Sequence, residues 1–244
     1  MEEAEYSKMA EVEDWMWFYR SLHGHIARLL AERLEGRSAA VLDAGCGTGG
    51  MIRHLEGAMP AARLTGLDLS PLACRLARGR VRAPIVDGSV AAMPFDAATF
   101  DAVVSADVLY ELDDPAAALA EFSRCLRPGG WVVLNVPAYR WLWSYHDVAV
   151  RSKHRFVRSE VAGLLRAAGF TVELNTHWNA LLFPVIVAKR KLFARATDTS
   201  DVKAYSAPIE ATCRCLMAIE HAWLRLGGTW AWGSSILAVG RKRA

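Results

Sequence analysis

The residues best suited to do chemistry stand in one short run, Asp43-Ala44-Gly45-Cys46-Gly47-Thr48-Gly49-Gly50. Glycine lacks a Cβ, so a turn of this composition lets the backbone approach a ligand closely. An apolar strand precedes the run and a helical pattern starts at Met51, the layout of a nucleotide-type site at a helix N-terminus. Gly45, Gly47 and Gly50 fit the dinucleotide spacing G-x-G-x-x-G, but Gly45, Gly47 and Gly49 fit G-x-G-x-G equally. Asp43 separates the two readings. A carboxylate beside the loop repels a pyrophosphate in a partly desolvated crevice by several kcal/mol in order of magnitude. It favours a phosphate-free ligand with a cationic centre, and S-adenosylmethionine, carrying a sulfonium and an ammonium, is such a ligand. NAD is the disfavoured rival.

A second concentration of reactive types is Tyr139-Arg140-Trp141-Leu142-Trp143-Ser144-Tyr145-His146-Asp147, which follows a predicted strand. One reading is an aromatic helix packed on the domain. The other is a pocket wall, which combines apolar surface with a few polar groups. Histidine is the side chain matched to proton transfer near neutral pH. His146 therefore leads His23, His25, His154 and His177 as the candidate general base, with Tyr110 and Tyr139 as hydrogen-bond partners for a substrate.

The segment 43–49 resembles the first motif of class I S-adenosylmethionine-dependent methyltransferases. The resemblance continues through Gly66-Leu67-Asp68-Leu69-Ser70, Asp87-Gly88-Ser89 and Leu126-Arg127-Pro128-Gly129-Gly130-Trp131, and spans residues 38–170. A bacterial subgroup carries Y-R-x-L-W-S-x-H-D and then a basic H-R-F segment, which here is His154-Arg155-Phe156. The resemblance implies a methyl donor held by Asp43, Gly45, Cys46, Gly47 and Gly49, with Asp87 and Gly88 meeting the adenine. It also implies an N-terminal helical cover presenting Tyr19 and Arg20; Arg20 would pair with the methionine carboxylate or stand solvated. Asp68, about 20 residues beyond the loop, is spaced to accept ribose hydroxyls, with Leu69 beside it. Ser105, Ala106 and Asp107, at the end of a strand, are placed to flank the methionine part.

The elements that must position these groups follow from periodicity. Residues 11–34 read as one amphipathic helix. Strands are expected at 39–42, 63–67, 84–86, 100–105, 131–136 and 170–174, with a closing antiparallel strand at 235–239. Helices lie between them, one from Pro115 to Leu126 and one capped by Ser159. Residues 178–226 read as helical with a polar break at 197–201. The fold expected is α/β: a Rossmann-like, doubly wound, seven-stranded sheet. It would be a single domain, with a cover at 1–37, a cofactor-binding core at 38–177, a helical insertion at 178–232 and the closing strand at 233–244.

At 244 residues, 53% of them hydrophobic, the chain has enough apolar surface for one full core. A net charge of +3 gives no reason to expect nucleic acid. The acidic start does not read as a signal peptide and no apolar run reaches the length of a bilayer span, so a cytoplasmic protein is expected. Cys213 and Cys215 flank Arg214 and face different ways on a helix, so neither a metal nor a disulfide is assigned to the five cysteines. The basic run Lys189-Arg190-Lys191 is a solvated helix end or a contact for a membrane or lipid phosphate. The expected partner is a small apolar or lipid-like molecule, methylated by a monomer or homodimer. Methylation of a peptide, or cofactor binding without transfer, are the alternatives.

Overall fold

Apolar runs without polar alternation must be covered on both faces, and this chain builds its sheet from such runs. The computed structural model describes residues 3–35, 38–193 and 200–243. Its strands are β1 (Ala40–Ala44), β2 (Arg63–Asp68), β3 (Ile85–Asp87), β4 (Phe100–Ala106), β5 (Leu126–Pro137), β6 (Phe170–Trp178) and β7 (Ser235–Lys242). They form one seven-stranded sheet in the order β3-β2-β1-β4-β5-β7-β6. Pairing from β3 through β5 is parallel, and β7 runs antiparallel to both β5 and β6. The chain thus adopts the doubly wound sheet with a reversed closing strand. Strand order reverses between β1 and β4, the place where such sheets open a crevice at their C-terminal edge.

Helices cover both faces. They are α1 (Glu3–Val12), α2 (Trp17–Leu34), α3 (Gly50–Ala58), α4 (Pro71–Arg78), α5 (Pro115–Cys125), α6 (Tyr145–Ala149), α7 (Arg158–Ala167), α8 (Phe183–Lys191) and α9 (Ala207–Arg225). On one face Val41, Val104 and Val133 pack with Ile26 and Leu30 of α2 and Met217 and Leu224 of α9. On the other, Leu42, Val103 and Leu134 pack with Leu119 and Phe122 of α5 and Leu165 of α7. Each such side chain, fully buried, contributes about 1.5–3 kcal/mol. Trp178 joins the layers: it is fully buried, stacks on Phe18 at 5.2 Å and donates its indole N–H to Asn135 Oδ1 at 2.6 Å.

Most strand ends shift by a few residues, and four larger differences have identifiable causes. The helix expected over 11–34 is two, because the elbow 13–16 turns Glu13 inward; Glu210 of α9 then caps α2 by accepting the Trp17 N–H at 2.9 Å. Leu126 belongs to β5 rather than to the preceding helix, since it pairs with Phe100; the register then jumps to Ala102–Trp131, with Pro128 and Gly129 in the bulge. Helix α7 already contains Ser159, which therefore caps nothing. Strand β6 continues past Leu174 to Trp178, because β7 supplies partners that far. The expected polar break lies partly outside the described residues, which resume at Ser200.

Candidate functional site

A cavity of about 1090 Å³ occupies the crevice at the switch point. Its floor is the glycine loop and the ends of β1, β2 and β4. Its walls are α1 and α2 on one side and α6, α8 and the start of α9 on the other.

The loop geometry explains its composition. Gly45, Gly47 and Gly49 all have positive φ, 88°, 52° and 88°. A Cβ at Gly45 would also stand 2.2 Å from Val108 Cγ2, so only glycine fits there. Asp68 fastens the turn: Oδ2 accepts the Gly47 N–H and Oδ1 the Ser70 N–H, both at 2.8 Å. Each oxygen keeps a second lone pair.

Asp43 is buried and its Oδ2 has no partner. Burial, reinforced by Asp68 and Glu13, pushes its carboxyl up to about 8. A carboxyl so placed becomes a stable anion when a cation arrives. Glu13 reaches the loop from the elbow between α1 and α2, accepting from the Thr48 hydroxyl and from the Arg80 guanidinium. The cover is thereby fastened to the glycine turn. The positive-φ glycines, the partnerless carboxylate and the roofed crevice together fit a cationic adenosyl amino acid.

Beyond the end of the neighbouring strand β4, Asp107 sits with φ 57° and donates its backbone N–H to the Asn135 carbonyl at 2.9 Å. Burial raises its carboxyl to about 7. Tyr110, in a short 3-10 turn after β4, is buried at the cavity wall, and burial raises its hydroxyl well above the ordinary value. His146 lines the cavity, and its Nδ1 accepts the Asp201 backbone N–H at 3.2 Å. That bond leaves the ring proton on Nε2. Burial lowers His146 to about 4, so the ring is neutral at pH 7. With Nδ1 occupied, the nitrogen left to face the cavity is a donor.

The neighbouring Asp147 is structural. Its Oδ1 accepts from Arg155 Nη1 at 2.6 Å, with both side chains about 3% exposed. Its Oδ2 accepts the Ser144 N–H at 2.9 Å, making the capping box of α6. Arg155 Nε donates onward to the Ala138 carbonyl at 2.8 Å. The paired motifs around His146 and Arg155 are thus one locked wall. Asp201 in turn accepts from Tyr145, Lys189 and Arg190. Despite the opposing effect of burial, Arg190, His146 and Lys189 hold its carboxyl far below the ordinary range.

Of the residues singled out by sequence, Tyr19, Asp43, Gly45, Cys46, Gly47, Asp68, Leu69, Ala106, Asp107, Tyr110 and His146 line the cavity. Six do not. Arg20 is exposed on the outer side of α2. Gly49 shapes the loop as the cap of α3, and Ser105 is buried beneath the floor. Asp87 is half-exposed and paired with Arg78, while Gly88 packs under Leu67, and Ser89 and Val90 form the wall instead. Tyr139 faces away, stacked on His177 at 5.0 Å. His154 pairs with Glu160 at 2.7 Å and His25 stacks on His221 at 4.4 Å, both remote from the cavity. His23, a lesser candidate from sequence, also lines it, and Tyr6, Met9, Glu13, Asn179 and Asp201 line it unforeseen. Only Glu13, an acid in an apolar aromatic stretch, gave a signal in the sequence.

The methyltransferase domain family matches residues 42–134. A probable S-adenosylmethionine-dependent methyltransferase of Mycolicibacterium smegmatis is 35% identical over 66% of this chain and 62% of its own length. The malonyl-[acyl-carrier protein] O-methyltransferase of Hahella chejuensis is 35% identical over 52% of this chain and 48% of its own. The chain therefore spans about half to three fifths of the length of these relatives. Among solved structures, a chain of the complex between the Haloferax volcanii Trm112 methyltransferase activator and a methyltransferase aligns with TM-score 0.63 at 21% identity, covering 99% of this chain and 94% of that one.

Proposed function

This chain carries a class I S-adenosylmethionine-dependent methyltransferase domain, and from that premise we propose that it methylates a small apolar or lipid-like metabolite. The observation that carries the acceptor class is the apolar lining between α8 and α9, where Leu182, Val185, Ile186 and Ile209 face the cavity. Bound S-adenosylmethionine supplies a methyl group on a sulfonium, whose departure as a neutral thioether needs no acid.

The protein's task is then to hold nucleophile, methyl carbon and sulfur in line, which is worth roughly 7–11 kcal/mol at most. In this reading Asp43 takes the ammonium end of the donor, Asp68 the ribose hydroxyls, and the backbone of Ala106 and Asp107 the methionine part. Cys46, Leu69, Ser89 and Val90 enclose the nucleoside, and Tyr19 closes over it from α2. Tyr110 and the Nε2–H of His146 orient the acceptor as hydrogen-bond donors. Asp107, with its carboxyl near neutrality, is the group in the wall able to take a proton from a hydroxyl or amine at pH 7.

The test is incubation with methyl-labelled S-adenosylmethionine and fractionated cell extract. Label should enter the organic phase with release of S-adenosylhomocysteine; label confined to protein or to the aqueous phase would overturn the acceptor class. His146→Gln, which keeps a donor, should retain turnover within about tenfold, with no change in the pH profile near 6.5. A loss of about 10²-fold or more would restore a base role to the ring.

A further inference from the structure

We propose that the surface formed by α8 and α9 docks on an anionic phospholipid bilayer, with the cavity mouth opening into that contact. The outward side chains of this cap are mainly apolar or cationic, with Ser206, Thr212 and Thr229 as neutral polar exceptions. Leu192 and Phe193, directly after α8, are 75% and 71% exposed, and no residue of α8 itself is fully buried. On α9, Ile219, Trp223 and Leu226 are exposed at i, i+4 and i+7, which places them on one stripe. Arg214 and Arg225 are exposed on α9 to one side of that stripe, and Lys191 at the end of α8 and Lys203 before α9 are exposed too.

The described acids of the cap, Asp201, Glu210 and Glu220, all turn the other way. Glu210 is buried and accepts the Trp17 N–H; Glu220 is fully buried and accepts the N–H groups of Asn179, Ala180 and Leu181. Asp201 is spent on Tyr145, Lys189 and Arg190. Among the described residues 183–232, no acidic side chain stands exposed. Exposed apolar and cationic side chains, with every described carboxylate withdrawn, complement an anionic interface. The cavity reaches this same surface: Val185 and Ile209 line it and are 63% and 48% exposed, so they form its rim. No described helix is long and apolar enough to cross a membrane, so the contact is peripheral. Entry of an acceptor through that rim rests on the methyl-transfer reading; docking itself does not.

The experiment is flotation of the full chain with phosphatidylcholine vesicles, with and without phosphatidylglycerol, at low and high salt. The chain should float with the mixed vesicles, and partition should fall more than about tenfold on neutral vesicles or in high salt. Leu192→Glu/Phe193→Glu and Ile219→Glu/Trp223→Glu, all at exposed positions outside the cavity, should each cut partition more than about tenfold. Their melting temperatures and calorimetric affinity for S-adenosylmethionine should match the parent chain. Absence of flotation, or flotation unchanged by both variants, overturns the proposal. A dimer in solution that these substitutions dissociate assigns the face to a second copy and equally overturns it. Vesicle binding by a chain that shows no heat with S-adenosylmethionine would leave docking intact and remove the methyl-transfer reading alone.

Discussion

Asp43→Asn is expected to weaken S-adenosylmethionine binding roughly 10- to 150-fold, the equivalent of about 1.5–3 kcal/mol for a hydrogen bond to a charged group. The substitution keeps the side chain's shape and removes only its capacity for negative charge. Calorimetry across pH adds a second signature. In the unliganded chain the carboxyl titrates at about 8, so it is largely protonated at pH 7. Binding a cation pulls it into the ionised form and releases a proton. Affinity should therefore rise as pH increases from 6 towards 8 and then level, and the asparagine variant should lose most of that rise, keeping only what Asp107 contributes.

Stability moves in the opposite sense. A folded-state value above the unfolded one means that neutral Asp43 contributes stability below about pH 4, and that this contribution is lost as pH rises towards 8. At pH 8 the unliganded asparagine variant should melt higher than the parent while binding worse. A variant that binds S-adenosylmethionine normally, or one that melts lower, would remove Asp43 from the proposed role.

Arg155→Met is expected to cost about 3–5 kcal/mol, because it strands the Asp147 carboxylate in a buried wall without its guanidinium. For a chain of this size the melting temperature should fall about 6–20 °C. Asp147→Leu alone should be similarly harmful. The double variant Asp147→Leu/Arg155→Met should recover much of the loss, since two apolar side chains leave no unpaired charge. Thermal denaturation with a double-mutant cycle reads all three. A single variant that melts like the parent would show that the pair holds nothing together, and with it the locked wall behind His146 would fall.

What the sequence revealed follows the range of the forces involved. The glycine loop, Asp68 and the strands were legible because backbone conformation and two-sided burial leave local marks: positive φ demands glycine, and β1, β4 and β5 are apolar runs. Asp147 and Arg155 were visible only as a recurring pattern, and their eight-residue separation hid that they pair with each other rather than serve the chemistry. The hydrogen bonding of His146 was hidden for a long-range reason, since Asp201, 55 positions away, occupies its Nδ1. Arg20 and Tyr139 were misplaced because helical periodicity near an aromatic-rich stretch does not tell inward from outward. Glu13 was missed because its partners, Thr48 and Arg80, come from the core, and only folding brings the elbow to them.

That elbow carries a consequence for turnover. The cover and the glycine turn share one carboxylate, so on the methyl-transfer reading an adenosyl product that leaves past α1 would first break the bonds of Glu13 to Thr48 and Arg80. Departure is thereby tied to a discrete rupture rather than to gradual breathing. A chain whose Glu13 is shortened to alanine would exchange spent donor for fresh more quickly, while gripping each less tightly.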